Sequence, residues 1–152
     1  MQNAGEGSRA AFQVPPHLLD PSHTVAVWFT EPPGAVIQFT RPAVGTVALA
    51  EWLVGPAQAQ LLRRFPDDCP LVFVLDLGLM TSRDPVARPI LTGAARALKE
   101  RVTRSVLVAP LEASSIYLAS LKASISLLRV FGVTVSILSL QEALESLAPA
   151  HA

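Results

Sequence analysis

The seven residues Leu71-Val72-Phe73-Val74-Leu75-Asp76-Leu77 constrain the fold more than any other stretch of the chain. Successive side chains of a strand point to opposite sides, so an unbroken apolar run is stable as a strand only when both of its faces are covered. A strand of that kind belongs in the middle of a mainly parallel sheet, and its parallel neighbours are reached by crossovers long enough to hold a helix. The rest of the chain supplies candidates for both. Residues 24–30 and 35–40 are β-branched and aromatic runs joined by Glu31-Pro32-Pro33-Gly34, the pattern of a hairpin. Residues 105–109 and 133–138 are two further buried strands, the second preceded by Gly132 as a helix stop.

Helices are expected between the strands. Residues 43–65 read as two short helices, because Gly55-Pro56 interrupts an otherwise helical stretch. Residues 78–83 read as irregular. Asp84-Pro85 makes a helix start, the aspartate as N-cap acceptor and the proline pre-set for the first helical position. Ile90, Leu91, Ala94, Leu98 and Val102 then fall on one helical face, with Arg88, Thr92, Arg96 and Lys99 on the other. Pro89 is expected to kink this helix or to delay its start by about one turn. A long helix is expected over 111–131, and a last one to about 147 after the capping box Ser139-Leu140-Gln141-Glu142. The expected fold is α/β: an opening β-hairpin, then alternating strands and helices, in a mainly parallel but mixed sheet covered by helices. Residues 1–23, with Gly, Ser, Gln and three prolines, read as a flexible tail, 24–148 as one domain and 149–152 as a short C-terminal tail.

A chain of 152 residues that is 51% hydrophobic and 16% charged buries enough surface to fold without a disulfide or a structural metal. Twelve basic residues balance twelve acidic ones, so there is no surplus of positive charge to displace counterions from a polyanion, and nucleic acid is not expected as a partner. The single Cys69 excludes an internal disulfide and fits a reducing compartment, which favours the cytoplasm. No apolar h-region occupies the first twenty residues, so no secretory signal is expected. The longest uncharged stretch, 130–141, has 12 residues, short of the roughly 20 that a spanning helix needs, so no transmembrane segment is expected.

Histidines stand at positions 17, 23 and 151 and nowhere between residues 24 and 150. A nucleophile–histidine couple or a zinc site with histidine ligands would have to borrow from a chain end, and Cys69 alone cannot hold a metal. Neither a phosphate-cradling Gly-x-x-x-x-Gly-Lys-Ser/Thr nor a Gly-x-Gly-x-x-Gly after a strand occurs, so no cofactor is expected. Asp76 and Asp84 flank the C-terminal side of the central strand, where open α/β sheets place ligands. They could ligate Mg²⁺ or serve as acid and base, or simply end a strand and cap a helix. From Arg83 to Arg104 there are six basic and two acidic residues, either a docking face for an acidic partner or phosphate, or a solvated helix face. In 113–131, Ile116, Ala119, Ala123 and Leu127 mark one stripe and Leu118, Leu121, Ile125 and Leu128 a second. Together they are wider than a one-sided helix needs, so the helix is either buried on two sides or meets another copy in a homodimer.

With the strand 71–77, Asp84 and the closing Gly-Val-Thr-Val-Ser-Ile-Leu-Ser-Leu-Gln-Glu-Ala-Leu of 132–144 in view, the chain resembles the STAS family, the domain of anti-sigma-factor antagonists and sulfate-transporter tails. The resemblance covers roughly 24–148. In that family a strand ending in Asp leads through a short loop to Asp-Ser-Ser-Gly at a helix start, and a partner kinase phosphorylates the second Ser. Laid on this chain without gaps, the two aspartates match Asp76 and Asp84, and the next three positions are Pro85, Val86 and Ala87. Val86 has no hydroxyl, so the usual switch is absent at that position. The resemblance implies a non-enzymatic regulatory or scaffolding module without a cofactor, with a protein partner bound at Thr81, Ser82, Arg83, Asp84, Val86 and Arg88. Two other readings stand beside it: a small-molecule or lipid binder, since some STAS-like sheets hold ligands between helix and sheet, and an enzyme using Asp76 and Asp84 with Mg²⁺.

Overall fold

The computed structural model describes residues 15–31, 33–66, 69–108 and 135–138, with Ala119, Lys122, Ala123, Ser126 and Glu142 as single helical positions. The expected hairpin is present as β2 (Val25–Thr30) and β3 (Gly34–Phe39), antiparallel in the register Val25 to Phe39 through Thr30 to Gly34. A two-residue strand, β1 (Leu18–Leu19), pairs with the outer side of β2. The sheet therefore takes in residues that the sequence reading left to the tail 1–23. Two residues are too few to show a period, which is why they were not legible as a strand.

After β3 the chain lays down β4 (Ala43–Gly45) and enters a helical stretch at Val47. Thr46 caps it: its backbone is extended, and its hydroxyl accepts the Leu49 N–H at 3.2 Å. The expected break at Gly55-Pro56 is a widened π turn, Leu53–Ala57, that joins α1 (Val47–Trp52) to α2 (Gln58–Arg64) with helical dihedrals on both sides. Proline lacks the N–H for the i→i−4 bond and its ring crowds the carbonyl four residues back, so the ladder widens instead of stopping.

The central run forms β5 (Leu71–Asp76), as expected. The segment read as irregular is a strand, β6 (Met80–Arg83), which pairs in parallel with β4 in a separate two-stranded sheet. Its polar Thr81 and Ser82 hid it from a search for apolar runs. The next helix, α3 (Ala87–Ala97), begins three residues beyond Asp84. Asp84 does not cap it: its carbonyl accepts the Ala87 N–H and its Oδ1 accepts the Val86 N–H, closing a turn ahead of the helix. Pro89 is the reason, since it is accommodated in the first turn, where its missing N–H has no partner to lose. Val102, expected on that helix's face, instead opens β7 (Val102–Val108), which starts earlier than the expected 105–109. β8 (Val135–Leu138) pairs with β7. Save for the single helical positions, the expected helices over 111–131 and after residue 139 lie outside the described residues.

The main sheet runs β1-β2-β3-β5-β7-β8, antiparallel as far as β3 and parallel beyond, so the fold is a mixed, mainly parallel α/β sheet with helices. From β3 on, each crossover steps the same way along the sheet. Right-handed connections then put successive helices on one face. Accordingly α1, α2 and α3 all lie over the face formed by Val27, Ile37, Phe73 and Leu75. On that face one cluster of Val25, Phe39, Leu49, Leu77 and Met80 closes the end near β6, and a second of Val27, Ala35, Leu61, Phe65 and Leu71 closes the other. The opposite face carries Ala26, Val36, Val74 and Val106, with Val36, Val74 and Val106 at 0% exposure. Gly34 is fixed here by contact: a Cβ on it would lie 1.8 Å from the carbonyl oxygen of Val72.

Candidate functional site

The residues singled out from the sequence meet at the corner where β6 turns into α3. Parallel pairing sets Val44 opposite Ser82 and Gly45 opposite Arg83, and the Asp84 N–H donates to the Gly45 carbonyl at 2.9 Å. Thr81 and Ser82 are exposed, Arg83 and Asp84 are half-buried, and Val86 is 60% exposed. Arg88, in the first turn of α3, is half-buried. The six residues therefore divide. Thr81, Ser82 and Val86 are on the outer surface of the corner, Arg83 and Arg88 line a cavity behind it, and Asp84 closes the turn before α3.

That cavity lies between the helices and the sheet. One lobe of about 220 Å³ opens beside Arg83 and Arg88, over Phe39, Leu75 and Leu107. A second of about 180 Å³ lies over Ala35 and Val102, beneath α2 and α3. Both are lined by Ile37, Leu53, Phe73, Leu75, Leu91, Ala95 and Ser105. Each is larger than the ~150 Å³ apolar cavity that accepts benzene. Sequence creates the gap locally: α3 presents Ala94 and Ala95 to it, where larger side chains would reach Phe73 and Leu75. Ala94 and Ala95 stand in the sequence, but that they settle above Phe73 and Leu75 is a property of the fold.

The proposed acid pair does not form part of this cavity. Asp76 pairs in register with Gln38 on the opposite face and is 1% exposed. Its Oδ2 accepts from Gln38 Nε2 at 3.0 Å and its Oδ1 from the Gly78 N–H at 2.8 Å. Asp84 is engaged with Val86, as described above. Both carboxylates thus organise the ends of β5 and β6. Among the described residues no group of three His, Cys, Asp or Glu side chains is placed to hold a metal ion, and no helix is long and apolar enough to cross a membrane.

A second buried carboxylate, Asp20, ties β1 to the hairpin. Its oxygens accept the N–H groups of Ser22, Thr24 and Val25 at 3.0, 2.6 and 2.7 Å, and also the Ser22 hydroxyl. Burial works to raise this carboxyl, but the hydrogen bonds from Ser22, Val25 and Thr24 together outweigh it and hold it below the ordinary range. The turn it organises places His23 at φ 56°, in the left-handed region, where the Thr40 hydroxyl donates to its carbonyl at 2.6 Å. Asp20 had no legible role in the sequence, because its partners are backbone groups brought to it by the turn.

No family model matches this chain, and no curated protein matches it in sequence.

Proposed function

We propose that the chain is a non-enzymatic, STAS-type interaction module that binds a protein partner at the β6–α3 corner, without a phosphorylation switch at the position of Val86. The observation that carries this reading is the pair of large apolar side chains left in solvent there: Val86, 60% exposed, and Val44, 43% exposed on the strand paired with β6. Thr81 and Ser82 stand exposed beside them. Four more basic than acidic residues between Arg83 and Arg104 complement an acidic partner surface with an apolar centre. The lone Cys69 supports a cytoplasmic setting.

The test is affinity recovery from the native host with wild type, Val86→Asp, the Arg83→Glu/Arg88→Glu double variant, and Arg63→Glu on α2 as a distant control. A partner retained by wild type and control and lost by the two corner variants supports the surface. Equal recovery by all four, with unchanged circular dichroism, contradicts it. Self-association through 113–131 is a second reading, favoured by Ala119 and Ala123, stripe residues that are helical and exposed. Light scattering that gives the mass of a single chain at every concentration removes it.

A further inference from the structure

We propose that the gap beneath α3 binds a compact, uncharged molecule of one or two rings that carries a single hydrogen-bonding group. Its rings lie over Phe73 and Leu75, and its polar group meets the Ser105 hydroxyl. Ser105 belongs to β7 and no residue of the exposed corner is used, so the site does not depend on the partner surface proposed above.

Three observations carry it. First, the lobe of about 220 Å³ exceeds by about half the ~150 Å³ apolar cavity that accepts benzene, which leaves room for a second, fused ring. Second, Ile37, Phe73, Leu75 and Leu107 are only half-buried, although they belong to the helix-covered face of the sheet. Apolar groups beneath a helix are normally removed from water entirely, and apolar rings above them would do that here. Third, Ser105 is the one polar residue among the described residues that line both lobes. It is in register with Phe73, and in-register neighbours point to the same side of a sheet, so its hydroxyl is on the helix-covered face. Among the described residues none hydrogen-bonds that hydroxyl, and it is not cut off from water. The Thr46 hydroxyl, which lines the same lobe, is by contrast committed to the Leu49 N–H. A hydroxyl amid apolar side chains needs a partner once water is displaced, so a wholly apolar ligand is penalised there and one with a hydroxyl or a carbonyl is not. Serine both donates and accepts, which suits either group. A charged group is disfavoured over Phe73 and Leu75, because no residue lining both lobes carries a countercharge.

The full-length protein is titrated into 6-fluoro-2-naphthol, 2-fluoro-6-methylnaphthalene and 6-fluoro-2-naphthoate, and binding is followed by fluorine NMR. Saturable binding of the naphthol to one site per chain is expected, with the naphthoate at least about tenfold weaker. Ser105→Ala is expected to weaken the naphthol about tenfold and to leave the methyl analogue within about twofold, a split that a merely loosened fold would not produce. Ala95→Phe, or the smaller Ala95→Leu should the ring prevent folding, fills the gap. It is expected to weaken both ligands by at least about tenfold while the thermal midpoint holds or rises. Four results would each overturn the proposal: no saturable binding by wild type, naphthol affinity unchanged in a folded filling variant, naphthol and methyl analogue affected alike by Ser105→Ala, or a naphthoate that binds as tightly as the naphthol, which would assign the gap to Arg83 and Arg88 instead.

Discussion

The two faces of the main sheet are built from the same strands and nearly the same residue types, yet they are packed differently. On one, Val36, Val74 and Val106 align across three strands and are completely buried. On the other, their immediate neighbours Ile37, Leu75 and Leu107 align just as well but stay half-buried beneath the helices. Hydropathy does not separate the faces. On the half-buried face, the described residues set against the sheet include small ones, Ala94 and Ala95 of α3. A close-packed core resists changes of even one methylene, whereas a layer that already contains a gap has room to take up a ligand or a larger side chain.

Substitutions on either side sharpen this contrast. The largest effect is expected at Gly34, on the closed face. An alanine Cβ there meets the Val72 carbonyl oxygen at 1.8 Å, and backbone cannot yield as a side-chain tip can. Gly34→Ala is therefore expected to cost on the order of 3 kcal/mol or to prevent folding, as read from urea midpoints.

Asp20→Ala follows. It strips the acceptor from the buried N–H groups of Thr24 and Val25 and is expected to cost about 3 kcal/mol near neutral pH. In the wild type, the folded carboxyl titrates below the unfolded value of about 3.9. Its contribution is thus complete above roughly that pH and is lost as pH falls through the folded pKa. Stability curves between acid and neutral pH should show wild type and Asp20→Ala converging at the acid end.

The most discriminating pair is Val74→Ala against Leu75→Ala, adjacent residues on opposite faces. Deleting more atoms ordinarily costs more, and Leu→Ala spans about 2–5 kcal/mol. Here Val74→Ala is expected to cost about 2.5 kcal/mol and Leu75→Ala about 2, at the low end of its range, because Leu75 already borders open volume. A Leu75→Ala loss well above that of Val74→Ala would mean that both faces are equally filled. The smallest effect is a gain. Gly93 lies inside α3 with open space where its Cβ would be, so Gly93→Ala should stabilise the protein by about 1 kcal/mol without altering the gap.

Much of the framework was legible in the sequence, for reasons these comparisons make concrete. The run 71–76 and the hairpin 25–39 declare themselves because β-branched and aromatic residues cluster between Pro/Gly turns. The start of α3 was only partly legible: Pro89 forecast the delay, but whether Asp84 would cap the helix or close a turn depended on where the delayed helix began. β6 was invisible because its pairing with β4 involves a polar strand four residues long. The gap was hidden for a deeper reason. A continuous apolar run specifies that both faces are covered, not how completely, and incomplete covering depends on which small residues of a distant helix settle above it. Arg83 and Arg88 showed as a charge surplus in the sequence, and only the fold places them against that gap.

A crystal structure of the full-length protein pressurised with xenon tests the unequal packing of the two faces most directly. The expected result is xenon, or the density of a bound hydrocarbon chain, between Phe73 and Leu75 below and Leu91 and Ala95 above, with none at Val36 or Val74. Leu91 and Ala95 packed in van der Waals contact with Phe73 and Leu75, with no density between them, would contradict it.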